Sequence, residues 1–119
     1  MSIIANCLVA FVALAHFGFL VLEMFFWTKP FGRRTFGLTE EFATATRALA
    51  ANQGLYNGFL AAGLVWSLLA ADNNYALKVF FLTCVIIAGV FGAATAKASI
   101  LYYQAAPAAI ALLFVWLAR

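Results

Sequence analysis

Four side chains that donate and accept hydrogen bonds, Asn52, Gln53, Tyr56 and Asn57, fall within six residues of an otherwise apolar stretch. Asn52 and Tyr56 are four apart, so a helix sets them on one face, with Phe59 and Gly63 continuing the row. Gln53 and Asn57 form a second row beside it, and Gly54 and Gly58 make a GxxxG pair that lets another helix approach closely. An amide facing hydrocarbon is costly, so these groups must meet protein or water. Two roles are open to them: interhelical hydrogen bonds worth about 0.6 kcal/mol each, or one wall of a polar pocket.

Ionisable groups come earlier in the chain. His16 and Glu23 are seven residues apart, on one face of another apolar segment. Such residues inside a membrane helix mark a functional site by default. Glu23 lies close to Trp27 and Lys29, where it can reach water or pair with Arg33 or Arg34. His16 lies deeper, and a neutral imidazole bonded to a neighbouring helix is its plainer reading. Later, Ser99, Tyr102, Tyr103, Gln104 and Pro107 follow one another. Pro107 frees the Tyr103 carbonyl and bends the helix. Gln104 needs a partner, which Asn52, Tyr56 or Asn57 can supply, while Tyr102 and Tyr103 also suit an interfacial aromatic belt. Ala88, Gly92 and Ala96, with Gly89 beside them, read as a close-packing face. Cys7 and Cys84 read as inert buried thiols. No metal site is expected, since the chain holds one histidine, and it has no GxSxG, HExxH or phosphate-binding glycine loop.

The elements that position these residues follow from composition. The chain has 119 residues, 67% hydrophobic and 9% charged, against about 25% charged in soluble domains. That excludes a soluble globular protein and implies one integral membrane domain over residues 1–119. Four apolar segments, 3–27, 48–70, 75–96 and 99–118, are each near the ~20 residues that cross a bilayer. They do not alternate in polarity, so helices are expected and a barrel is not. The first lacks the basic start and small-residue cleavage site of a signal peptide. A basic loop, 28–46, follows the first segment, whereas the later links, at 71–74 and around Lys97, are short. Short links make neighbours antiparallel, so the fold class expected is an all-α, four-transmembrane-helix, up-down-up-down bundle.

The first and third loops share a side and hold Lys29, Arg33, Arg34, Arg47 and Lys97, against Lys78 and Arg119 on the other. The positive-inside rule then sets loop 28–46 in the cytoplasm and both termini outside it. The expected location is a bacterial inner membrane. The net charge of +3 fits anionic lipid headgroups and calls for no nucleic acid.

The runs LEMFFW at 22–27, NQGLYNGFLAAGL at 52–64 and QAAPA at 104–108 resemble the domain-of-unknown-function (DUF) 1304 family of small four-span membrane proteins. More distantly, the layout resembles the MAPEG superfamily of membrane-associated glutathione transferases and eicosanoid-forming enzymes. GRRTF at 32–36 is similar to their arginine-rich first loop, and Arg47, Asn52 and Tyr56 are similar to three polar positions of their second helix. This second resemblance implies a homotrimer with glutathione bound between subunits. The chain departs from that pattern in three ways. Arg47 is not at the usual spacing from Asn52, Leu55 stands at a glutamate position, and Gln104 stands where some members have a thiol-activating arginine.

Three functions compete. The first is a MAPEG-like enzyme or binding protein for a small amphipathic molecule, with glutathione as its candidate cofactor. There Arg33, Arg34 and Arg47 would hold an anionic group through paired donors, and Asn52, Gln53, Tyr56, Asn57, Tyr103 and Gln104 would line the pocket. The second is a small proton-coupled exporter of lipophilic cations that uses Glu23. The third is a non-catalytic structural or lipid-interacting subunit whose polar residues join helices.

Overall fold

The computed structural model describes residues 1–119, and all of its regular elements are helical. They are α1 (Ser2–Phe25), α2 (Pro30–Phe36), α3 (Glu40–Ala45), α4 (Arg47–Leu69), α5 (Asn74–Thr95), a π-helical turn (Leu101–Ala105) and α6 (Ala106–Leu117). Each of the four apolar segments is helical, with ends within two residues of those expected. Two of them, α1 and α5, are long and apolar enough to cross a membrane, each with a mean hydropathy of 2.2.

The stretch 28–46 is not a plain loop. Pro30 opens α2, where its missing N–H is harmless, and Gly37 closes it in the left-handed region at φ 68°. Thr39 caps α3 by accepting from the Phe42 N–H at 3.1 Å, and Glu40 and Glu41 occupy the positive first turn. The bend expected at Pro107 also takes a specific form. The Ala106 N–H reaches back five residues to the Leu101 carbonyl, so a π turn comes before the proline and α6 restarts with Pro107 in its first turn.

The chain gathers into two compact units, residues 1–14 with 60–119, and residues 15–59. The first has a core of Val9, Val12, Leu64, Leu82, Val85, Ala108, Ala111 and Val115. Its small residues set the spacing: a Cβ on Gly89 would lie 2.7 Å from the Ala105 backbone nitrogen. The close-packing face of α5 is therefore Leu82–Val85–Gly89, and Ala88 and Ala96 point outward. Large side chains face out instead, with Ile87 63%, Phe91 68% and Leu69 79% exposed. No disulfide forms; Cys7 is exposed and Cys84 half-buried, so Cys7 is not the buried thiol expected.

In the second unit, Gly32 lies beneath Phe26, where a Cβ would fall 1.8 Å from the Phe26 carbonyl oxygen. The Trp27 Nε1–H donates to Thr46 Oγ1 at 3.0 Å, and the Thr46 hydroxyl donates to the Phe42 carbonyl at 2.7 Å. The Trp27 ring also lies 5.0 Å from that of Phe36, which ties the segment after α1 to α2 and to the end of α3.

Candidate functional site

Buried positions on α4 recur at Ala50, Gly54, Asn57, Ala61 and Leu64, a spacing of four and three that marks one inward stripe. Asn57 falls on that stripe and is 3% exposed. Its Nδ2 donates to Glu23 Oε1 at 2.5 Å. The neighbouring glycines make the contact possible. A Cβ on Gly54 would stand 2.7 Å from Met24 Cγ and 3.1 Å from Glu23 Cβ, and one on Gly58 would stand 2.6 Å from Leu20 Cδ1. Without those side chains the Leu20–Met24 turn of α1 lies directly on α4, and the carboxylate comes within reach of the amide. A buried amide with no partner is expensive, so the pair relieves the cost of placing Asn57 inside.

This pairing differs from the partners expected for Glu23. Arg33 Nε donates to the Thr28 carbonyl at 3.2 Å, Arg34 is exposed, and neither forms an ion pair with Glu23. The two polar rows of α4 also divide differently. Asn52, Gln53 and Tyr56 are all exposed and only Asn57 turns inward, so Gln53 and Asn57 do not act as one row. The Tyr56 ring lies 6.0 Å from that of Phe59, and Arg47 is exposed at the start of the same helix. His16 is 1% exposed, with its ring edge-on to Phe19 at 5.1 Å. In the other unit, Tyr103 is exposed and Gln104 half-buried on the π turn, beside Gly89. The Trp27–Thr46 bond was not read from the sequence. A tryptophan just past an apolar helix was its only signal, and nothing local names a threonine 19 residues on.

Chemically, Asn57 occupies one oxygen of Glu23 and leaves Oε2 for a proton or an incoming donor. An amide N–H serves a carboxylate and the carbonyl oxygen of a neutral acid alike, so the bond survives proton exchange at Oε2.

Among known proteins, the chain is similar to the Lactococcus lactis protein "Uncharacterized protein YpaA", with 27% identity over 115 residues, covering 95% of this chain and 97% of that one. No solved structure matches it. The profile of the family described as "Protein of unknown function (DUF1304)" matches residues 10–116, a stretch that includes Glu23, Asn57 and both glycines between which they meet. The chain belongs to the DUF1304 family.

Proposed function

We propose that this chain is a four-span integral membrane protein, up-down-up-down, that binds a small amphipathic molecule along the exposed polar face of α4. Its outward Phe, Ile and Leu side chains over an Ala- and Val-rich core support a bilayer setting, since lipid is the solvent that tolerates such a surface. The 23 residues of α4 extend about 34 Å at 1.5 Å per residue, which supports a further crossing.

The observation that carries the binding reading is the division of labour on α4. Asn57 is committed to Glu23, whereas Asn52, Gln53 and Tyr56 are exposed and take part in none of the side-chain hydrogen bonds of residues 15–59. Three polar groups turned outward on an apolar helix call for a ligand or a neighbouring copy. Arg47 at the head of the same helix adds a cation for an anionic end. Glutathione carrying an apolar S-substituent has this character, and a MAPEG-like trimer would supply the neighbouring copy. With S-hexylglutathione at millimolar concentration, the melting temperature of the detergent-purified protein should rise, and Asn52→Ala with Tyr56→Phe should abolish the rise. An unshifted wild-type melting curve would remove the glutathione form of the proposal.

A second reading rests on Glu23. A carboxylate on α1 with one oxygen free to exchange a proton supports proton-coupled export of a lipophilic cation. Its position in the last turn of α1 weighs against this, because such a carboxylate belongs near the midplane. Unchanged cation transport by Glu23→Gln in proteoliposomes would eliminate it.

A further inference from the structure

At one end of the unit formed by residues 1–14 and 60–119, the start of α1, the start of α5 and the end of α6 line a cavity of about 190 Å³. Its polar lining is Ser2, Asn6, Asn74, Tyr75, Lys78 and Arg119, and it includes no Asp or Glu. Both cations are held by neutral groups. Lys78 Nζ donates to Asn6 Oδ1 at 2.7 Å, and the Arg119 guanidinium lies 5.0 Å over the Trp116 ring. Neither is paired with a carboxylate side chain. The ammonium retains two of its three N–H groups and the guanidinium keeps its full fork of donors, so a group with several anionic oxygens suits them.

An apolar groove of about 440 Å³ adjoins this cavity, lined by Val79 and Ile86 of α5 and by Leu112, Leu113 and Trp116 of α6. Tyr75 lines both spaces, and Trp116 lines the groove while holding Arg119 at the cavity. We infer that the two together hold one anionic phospholipid, its phosphate-bearing headgroup at Lys78 and Arg119 and an acyl chain along the groove. The two cations, with no carboxylate side chain against them, select the negative headgroup, and the apolar groove that shares Tyr75 with the cavity selects a lipid over a free phosphate. This site lies outside residues 15–59 and shares no residue with the binding face proposed for α4.

Native mass spectrometry of the full chain released from detergent tests the inference, with phosphatidylglycerol, phosphatidylcholine and inorganic phosphate as probes. Phosphatidylglycerol should bind at least about tenfold more tightly than phosphatidylcholine, and Lys78→Gln with Arg119→Gln should remove most of that difference. Ala109→Phe, which narrows the groove from an exposed position, should weaken both lipids. Asn6→Ala keeps both cations and should keep the preference, which separates charge from packing. Equal binding of the two lipids, an unchanged preference in the double variant, its loss in Asn6→Ala, or inorganic phosphate binding as tightly as phosphatidylglycerol would each overturn the inference. If the double variant does not fold, the wild-type comparison and Ala109→Phe still decide.

Discussion

Asn57 and Glu23, 34 positions apart in sequence, share the only side-chain hydrogen bond that joins α1 to α4 within residues 15–59, and the contact sits against Gly54. Asn57→Ala leaves the half-buried carboxylate without its donor and should lower stability by about 1–3 kcal/mol. Glu23→Gln keeps an acceptor oxygen and should cost less. A double-mutant cycle, read by unfolding in mixed micelles, should give a coupling of about 0.6–1.7 kcal/mol, the range of interhelical bonds in membranes. A coupling of zero would mean that this bond does not hold the helices together.

The glycines should rank by what a methyl group meets. At Gly58 it meets the far end of Leu20, which can move, and alanine there also favours the helix, so Gly58→Ala should change stability by less than about 1 kcal/mol. At Gly89 it meets the Ala105 backbone at 2.7 Å, and at Gly32 the Phe26 carbonyl oxygen at 1.8 Å. Neither can yield without moving a helix or turn, so Gly89→Ala and Gly32→Ala should each cost about 1–3 kcal/mol or more. Thermal unfolding in one detergent compares the three, and equal losses would refute the ranking.

Helix extents were legible because each apolar run is bounded by polar or charged residues and does not alternate in polarity as a strand would. The GxxxG approach at Gly54 and Gly58 was legible too, since absent side chains announce close packing. What Glu23 pairs with was not. Charge favours Arg33 and Arg34, and only the 50-54-57-61-64 stripe, fixed by which face of α4 turns inward, puts Asn57 in reach. The helices within 28–46 carried local signals, Pro30 at one start and Thr39 before two glutamates at the other, that were outweighed by the density of charge.

Four crossings and two crossings predict different sides for the short links. If all four long helical segments span, Asp72 lies with both termini and Lys97 with residues 28–46. If only α1 and α5 span, Asp72 joins 28–46 and Lys97 joins the C-terminus. Single cysteines at 35, 72 and 97, in a chain with Cys7 and Cys84 replaced by alanine, can be probed on intact cells with a membrane-impermeant maleimide. Labelling is expected at 72 only, with 35 and 97 reacting after permeabilisation. Labelling at 97 but not at 72 would leave two spans.

Burial separates residues that hold the fold from residues available to a ligand, and α4 carries both kinds within six positions. Asn57 is 3% exposed and Tyr56 52% exposed, although they are adjacent in the chain. Asn52→Ala and Tyr56→Phe remove groups that take part in none of the side-chain hydrogen bonds of residues 15–59, so each should alter unfolding by no more than about 0.5 kcal/mol. Asn57→Ala, one residue from Tyr56 and five from Asn52, should cost several times more. If the exposed amide and phenol instead join helices of neighbouring copies, Asn52→Ala will lower both stability and oligomeric state in the same detergent. Light scattering beside the melting curve distinguishes these cases. Loss of stability with loss of assembly assigns the face to a subunit contact, and unchanged stability and assembly leave it to a ligand.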